Sequence, residues 1–426
     1  MTLSPAANLA ADTQCPECAR SLVRVSDAAP WCPACEWGLG DPGSKPPATF
    51  GWRWLDYRVF RLAYRVTHDE FRRLNGAPEV PSGRMRGSSL MVTVAALVIY
   101  ATVAACLVAG IWLCTVRFPS PMLLPGVLLI LLAVELRPRF GRLPRHVTVL
   151  DPGAAPELHR LVARVADAVG APMPQVICLA ESEFNASAGK IGLRRRRVLI
   201  IGVPLWEALG PQQRVALLGH ELGHFVNGDP GRGLLVQPVY LSLATVVDLL
   251  RPVRNRFSGL IEMITEVLLS AVMAVIRWPL TGVWLGLVAL GQRGRQLAEY
   301  RADVLSARAA GSEASVELFD LLMLSDPVLM LIKRDARAGV APTAWHETAA
   351  GVLTGVRPQL DVRRQANVRA EVDLFASHPP AGMRTRLIEG RPAEPAAVVL
   401  DEATNARIED ELAKPAARCA RTLKAQ

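Results

Sequence analysis

Five residues, His220-Glu221-Leu222-Gly223-His224, constrain this chain more than any other feature. Two imidazoles four residues apart can grip one ion if the backbone between them is an α-helix, because positions i and i+4 then share a face. The flanking sequence agrees. Gly210-Pro211 reads as a helix start with proline at the first helical position, Val215, Leu218 and Leu222 follow at helical spacing, and Asn227-Gly228 reads as the stop. Zinc held by such a pair lowers the pKa of its bound water toward about 7, and a carboxylate at the position of Glu221 then takes the proton. The chemistry on offer is hydrolysis of a carbonyl compound such as a peptide.

A catalytic zinc takes three protein ligands and keeps one position open, so the fold must bring another donor to this helix. Glu299 opens a second helical stretch that runs through Leu305 and Ala309, with Asp303 one turn later on the same face. The pair offers a candidate ligand and a carboxylate able to hold a ligand histidine from behind. For Glu299 alone, a solvated helix carboxylate is the plainer reading, and spacing does not decide between the two.

Taken together, the H-E-x-x-H stretch with Asn227-Gly228-Asp229, Glu299-x-x-Ala302-Asp303, Ser377-His378-Pro379-Pro380 with Arg384, and Asn185-Ala186-Ser187-Ala188-Gly189 resemble the integral-membrane zinc metallopeptidases, the family that includes the heat-shock protease HtpX and the CAAX prenyl endopeptidases. The resemblance spans roughly residues 88–390. It implies that His220, His224 and Glu299 hold zinc, that Glu221 is general base and then acid, that Asp303 stands behind a ligand, and that His378 lies near the oxyanion. It further implies that Asn185 and Ala186 lie on a substrate-binding strand. The implied fold is α+β and mostly helical, a membrane-embedded gluzincin-type metallopeptidase with a small sheet beside the H-E-x-x-H helix.

Composition points to a membrane as well. Of 426 residues 51% are hydrophobic, which is high for a soluble chain. Only five of the 48 basic residues are lysine, an arginine bias that points to a GC-rich bacterial genome. The net charge of +9 does not argue for nucleic acid, because the arginines cluster beside apolar runs without an aromatic-basic platform. The first 40 residues contain no apolar core segment, so no secretory signal is expected. Leu90 to Val116 is long enough to span a bilayer, and Met122 to Val134 follows after Pro119, Pro121 and Pro125. Arginines at 58, 61, 65, 72, 73, 84 and 86 precede this pair and those at 137, 139, 142 and 145 follow it, so both ends of the hairpin are expected in the cytoplasm. A second apolar block, Leu234 to Leu250, Leu260 to Ile276 and Trp278 to Leu290, is expected to form two more spans inserted between the zinc motifs. The Arg251, Arg254 and Arg256 turn would then lie outside, against the charge rule, and an interfacial arrangement is the alternative.

Within the catalytic part, Glu157 to Val169 reads as an amphipathic helix ended by Gly170. Gln175 to Leu179 and Val198 to Ile201 read as strands, with Phe184 to Ala188 between them and a basic turn tip at Arg194 to Arg197. Such a sheet suits an extended peptide, which can add to a strand edge. Helices are expected to continue through Ser315 to Leu324, and residues 335–365 to be loop-rich.

The amino terminus carries a separate signal. Cys15-x-x-Cys18 and Cys32-x-x-Cys35, with 13 residues between them, match the spacing of a four-thiolate zinc ribbon, against a disulfide pair or a redox motif. Thiolate ligation also fits a reducing cytoplasm. Because the hairpin separates this ribbon from the catalytic part in sequence, the two are expected to stand apart.

The expected organisation is a ribbon over 1–50, a basic linker over 51–87, a transmembrane hairpin over 88–137, catalytic parts over 138–232 and 292–390 separated by a second hairpin over 233–291, and a C-terminal tail over 391–426. The expected function is that of a multi-pass zinc endopeptidase of the bacterial inner membrane, its active site facing the cytoplasm. One catalytic and one structural zinc are expected. Substrates are peptides or proteins, membrane proteins foremost, with membrane lipid as surroundings and no nucleic-acid partner. The competing reading is a non-catalytic scaffold whose ribbon recruits a partner protein; processing of prenylated peptides is a third.

Overall fold

The structure, a computed structural model, describes residues 14–24, 29–39, 50, 53–77, 80, 86–116, 118–137, 142–144, 146–192, 194–227, 236–250, 260–370, 372, 374, 376 and 378–425. Gly228, Asp229, Ser377, Arg84, Arg117, Arg139, Arg145 and the basic turn within 251–256 lie outside these residues.

The ribbon residues pair Gln14 with Ser21 and Val23 with Trp31, which lays the two cysteine knuckles side by side. Each knuckle closes through a residue with positive φ, Ala19 at 54° and Glu36 at 60°. The stretch expected as a linker contains α1 (Arg53–Leu74), an amphipathic helix. It buries Phe60, Ala63, Tyr64, Phe71 and Leu74 and exposes Trp54, Tyr57, Arg58, Arg61 and Arg65.

The apolar pair forms α2 (Arg86–Thr115) and α3 (Leu123–Glu135). They touch backbone to backbone: a Cβ on Gly110 would stand 2.8 Å from the Gly126 carbonyl oxygen, and one on Gly126 would stand 2.6 Å from Cys114 Sγ. Small residues allow this close approach. Leu97, Val98, Leu107, Val108 and Trp112 are exposed on the outside of α2.

A four-stranded sheet follows, built from β1 (Val147–Val149), β2 (Val176–Ala180), β3 (Ala186–Ile191) and β4 (Arg196–Gly202) in the order β1-β2-β4-β3. The stretch read as lying between two strands is in space the outer strand. β2 pairs directly with β4 in parallel, and β3 folds back antiparallel on the far side of β4 through a tight turn at Gly192 and Arg195. Between β1 and β2 in the chain comes α4 (Pro156–Val169), whose Leu158, Leu161, Val162 and Val165 share the core with Ile177, Leu179, Leu199 and Ile201 of the sheet, and which ends on left-handed Gly170 as its sequence predicts. β4 runs into α5 (Val203–Ala208) and then α6 (Pro211–Asn227), which carries the H-E-x-x-H residues.

The second apolar block differs from its expected form. α7 (Val236–Leu249) has only 14 residues, while α8 (Leu260–Ala310) is one helix of 51 residues that passes through Pro279 without ending. Glu299 therefore does not open a helix but sits far along one already running. Among the described residues, two helices are long and apolar enough to cross a membrane, over Leu90–Thr115 and Ser270–Ala310. Val92, Ala96, Leu136, Val239, Leu243 and Leu287 join α2, α3, α7 and α8 into one apolar cluster.

Residues 335–365 are helical rather than loop-rich. After α9 (Ser312–Met323) come α10 (Ser325–Ala338), α11 (Trp345–Val356) and α12 (Leu360–Ala370), with short 3-10 turns at Pro342 and Arg357. α13 (Ala381–Glu389) starts after Pro379-Pro380. The expected tail forms α14 (Glu402–Lys424), whose Ile408, Leu412, Cys419 and Leu423 belong to the main core. Glu411 on this helix caps another: its carboxylate accepts from the Glu157 and Leu158 backbone N–H groups at 2.7 and 3.0 Å, satisfying the start of α4. The ribbon does not stand apart either. Val23, Trp31 and Leu39 pack on Val362 and Ala366 of α12.

Because α14 closes the core, Leu412→Ala is expected to lower the unfolding free energy by about 2–5 kcal/mol. A denaturant titration of the detergent-solubilised chain reads it, and an unchanged midpoint would show that α14 is dispensable.

Candidate metal centre

α6 and α8 run antiparallel and unusually close, and glycine sets the distance. A Cβ on Gly219 would lie 2.9 Å from Ala309 Cβ and 3.1 Å from Ser306 Cα, and one on Gly223 would lie 3.1 Å from Ala302 Cα. Gly219, Gly223, Ala302, Ser306 and Ala309 thus form one small-residue seam. Ser306 Oγ locks it by donating to the Ala216 carbonyl at 2.8 Å. On the side of the seam where the histidines project, the short reach between helices brings Glu299 to His220 and His224.

The geometry there is that of a tripod. His220 Nε2 and His224 Nε2 are 3.3 Å apart, and each is 3.5 Å from an oxygen of Glu299. Ligands at about 2.0–2.1 Å from a tetrahedral ion stand about 3.3 Å from one another, so these three donors fit a single zinc-sized ion. All three residues are buried.

Behind the tripod, Asp303 is fully buried and accepts from His220 Nδ1–H at 2.9 Å. That bond fixes the tautomer, leaving the Nε2 lone pair to face Glu299 and His224. Arg384 of α13 donates to Asp303 through Nε at 3.0 and 3.1 Å and through Nη2 at 2.6 Å, and its guanidinium lies 4.1 Å over the Phe319 ring. Burial and the Arg384 charge pull the His220 imidazolium down, but Asp303 and Glu299 outweigh them and hold it up to about 9. Burial likewise opposes the charge on Arg384, and Asp303, Glu299 and Glu221 more than compensate, raising its pKa above the ordinary arginine value. A field that favours a proton at this point favours a metal cation there too.

The other sequence-predicted residues are placed as follows. Glu221 is buried on α6 between the two histidines. His378, half-buried just before α13, contacts Glu299 Oε2 through Nδ1 at 2.5 Å, with its ring centroid 5.5 Å from that of His220. Ala186 opens β3 opposite Ile201, and the Asn185 carbonyl accepts from Gly202 N at 2.8 Å. β3 packs beside α6 at the outer edge of the sheet. The four cysteines form a second cluster, with Cys15 and Cys35 Sγ, and Cys18 and Cys32 Sγ, each 3.4 Å apart, far beyond a disulfide bond of about 2.05 Å. Backbone N–H groups of Cys35 and Ala34 pull the Cys32 thiol down to about 6, against its burial. Thiolate sulfurs around one zinc stand about 3.8 Å apart, and these four lie within 4.8 Å of one another. Sequence reading missed the seam. Gly223 was visible as one of the two variable residues of the motif, and its four-residue spacing from Gly219 was the available signal.

Two histidines on one helix, with carboxylates from a second helix closing the site around them, define the metalloprotease class. Peptidase family M48 matches residues 152–391, more than half of the sequence, and the chain belongs to that family. Among curated relatives, a protein named Protease HtpX homolog from Syntrophobacter fumaroxidans is 25% identical over 244 residues, covering 56% of this chain and 77% of the relative. Another of the same name from Pyrobaculum calidifontis is 26% identical over 318 residues, or 71% of this chain and 85% of its own. Protease HtpX of Chromohalobacter salexigens is 27% identical over 259 residues, or 56% and 73%. No solved structure matches the chain.

Gly219→Ala is expected to push α6 from α8, weakening metal retention and lowering stability by about 1–3 kcal/mol. Adding Ala309→Gly removes the nearest clash and restores part of both. Zinc retention against a graded chelator and the melting temperature report the two effects. Equal retention in wild type and Gly219→Ala would show that the seam does not set the site.

Proposed function

We propose that the chain is a zinc-dependent, membrane-bound endopeptidase whose zinc is held by His220, His224 and Glu299. The observation that carries this is the tripod of donors at 3.3–3.5 Å, buried and backed by Asp303 and Arg384. When bound, zinc supplies a Lewis acid that activates water and polarises the scissile carbonyl. Glu221 accepts the proton of the attacking water and delivers it to the leaving amine nitrogen. His378, half-buried beside Glu299, offers an N–H donor that can offset charge building on the peptide oxygen. Asp303 holds His220 in the tautomer that presents Nε2, and Arg384 holds Asp303. The substrate lies extended along the outer strand β3, with Asn185 and Ala186 at its start. A scaffold has no use for a complete set of His220, Glu221, His224 and Glu299 at this spacing.

The natural substrates are membrane proteins or segments exposed beside the membrane, in quality control or processing. The support is α8: the helix that holds Glu299 also holds the apolar candidate span, which links the metal centre to the bilayer. α1 supports an orientation with the site in the cytoplasm. Its inner face packs Phe60 and Tyr64 on Val288 of α8, and its outer face presents Arg58 over Trp54 and Arg61 over Tyr57. Aromatic and arginine side chains at such a level suit the cytoplasmic headgroup region. The four thiolates hold a second, structural zinc in a closed site.

Glu221→Gln is expected to keep the fold and the metal while losing about 100-fold or more in turnover of unfolded casein. Glu299→Ala is expected to lose the ion itself. Normal turnover of Glu221→Gln would remove Glu221 as the base, and full metal content in Glu299→Ala would remove Glu299 as a ligand.

For topology, a cysteine at Met122, in the hairpin turn and 53% exposed, is expected to react with an impermeant maleimide on intact bacterial cells. One at Val399, 60% exposed on the catalytic part, is expected to react only after lysis. The reverse pattern would invert the orientation.

A further inference from the structure

The ribbon is attached to the helices that hold the back of the catalytic centre. Trp31, 1% exposed, donates from Nε1 to Gln365 Oε1 at 2.9 Å, and Gln365 Nε2 donates to the Pro33 carbonyl at 3.0 Å. Pro33 lies inside the second cysteine knuckle, so these two bonds tie the knuckle to α12. One turn on, Arg369 donates to the Ala29 carbonyl at 2.5 Å and lays its guanidinium 5.2 Å from the Trp31 ring centroid. Glu36, directly after Cys35, is paired in a fork with Arg386 of α13, one arm at 3.1 Å.

The two helices so gripped are themselves fused. Asn367 of α12 accepts from Gly382 N at 3.0 Å, and a Cβ on Gly382 would fall 2.2 Å from the Arg364 carbonyl oxygen. Arg384 lies two residues from Arg386 and points the other way, onto Asp303. His378 lies in the connection between α12 and α13, so both ends of its segment are held by helices the ribbon touches. The contacts therefore run from the cysteines through Trp31 and Glu36 to α12 and α13, then through Arg384 and Asp303 to His220.

We propose that the ribbon is an intramolecular strut: its four cysteines hold one metal ion, that ion keeps Trp31 and Glu36 seated on α12 and α13, and the seated ribbon fixes Arg384 and His378 at the active site. This rests on the metallopeptidase reading above and on the cysteine cluster as a metal site. Trp31, Gln365 and Arg369 are then positioning residues that never touch substrate. A ribbon of about 25 residues has too little core to hold its own shape, so its fold depends on the ion, and loss of that ion dissolves the seat. Peptidase competence becomes conditional on the state of cysteines that do not themselves belong to the catalytic tripod.

The test uses the full chain in detergent, with zinc content, hydrogen exchange over residues 360–389 and casein turnover measured together. Trp31→Ala is expected to keep the catalytic ion, lose exchange protection over α12 and α13, and lower kcat about 10-fold or more with KM changed far less. Trp31→Phe, which keeps the packed ring, should recover most of the loss, and Gln365→Ala should give a milder version of it. Cys18→Ser with Cys35→Ser should remove one zinc per chain and reproduce the Trp31→Ala exchange pattern. Wild-type exchange and kcat in Trp31→Ala overturn the strut while leaving the peptidase reading intact. A zinc count unmoved by the cysteine changes overturns the ribbon as a metal site. Absence of chelator-sensitive turnover in the wild type instead overturns the peptidase reading, and that arm is read with Trp31 in place.

Discussion

Every function assigned to this chain depends on two helices lying closer together than ordinary side chains allow. Helix axes normally pack about 8–10 Å apart, with the distance set by the residues at the contact. Glycine at 219 and 223 facing alanine and serine at 302, 306 and 309 lets α6 and α8 approach so closely that a Cβ at either glycine would crowd the facing helix. A glutamate side chain is short, and Glu299 must meet two imidazoles that themselves project from the neighbouring helix. A bulky residue in the seam would leave the same donors too far apart to share an ion. The variable positions of the H-E-x-x-H motif are thus not free in this chain, because Gly223 is one of them.

The continuity of α8 ties that seam to the apolar candidate span. One rod carries the apolar stretch beginning at Ser270, the carboxylate of Glu299 and the carboxylate of Asp303. Around it gather α1 through Phe60, Phe71 and Leu74, α7 through Tyr240, whose hydroxyl donates to the Leu287 carbonyl at 2.7 Å, and α2 and α3 through Val92, Ala96 and Leu136. A shift of α8 along its axis would move the metal centre relative to the sheet, and the ring of contacts near Leu287 resists it. The stretch leading into α14 resists it from the other end, since Gln212 of α6 bridges the Ala310 and Val398 carbonyls at 2.9 and 2.8 Å.

Much of this was legible in the sequence where local rules decide structure. Pro156 and Gly170 bound α4 and Pro211 opens α6, as proline at a first turn and left-handed glycine at a C-cap require. The apolar run from Leu90 gave α2. The failures came where tertiary contacts override local signals. Pro279 and the charges at Glu262, Glu266 and Arg277 broke the apolar pattern without breaking the helix, so α8 read as separate pieces. Residues 335–365 look mixed because their helices bury narrow stripes, such as Trp345 and Ala349 of α11 against the core. The α14 stripe was hidden among alanines and charges. No local rule could show that a ribbon at residues 15–35 rests on a helix beginning at residue 360, because only Trp31 and Gln365 meeting in space reveals it.

The charges buried at the centre explain why the network extends as far as Arg384. Glu221, Glu299 and Asp303 place three carboxylates in one buried volume, each 5% exposed or less, and Arg384 adds one guanidinium at 3%. Counted formally, with the three carboxylates ionised and His220, His224 and His378 all neutral, the balance is two negative charges. An uncompensated pair of buried charges is expensive, and proteins meet that expense with a bound cation or with protons. The same imbalance holds His220 protonated up to about 9. A divalent ion at the tripod brings the inventory to neutrality, whereas removal of Arg384 would leave one carboxylate in excess even with the ion bound. Arg384 therefore does more than orient Asp303: it sets the number of charges for which the site is neutral, and that number matches a divalent cation.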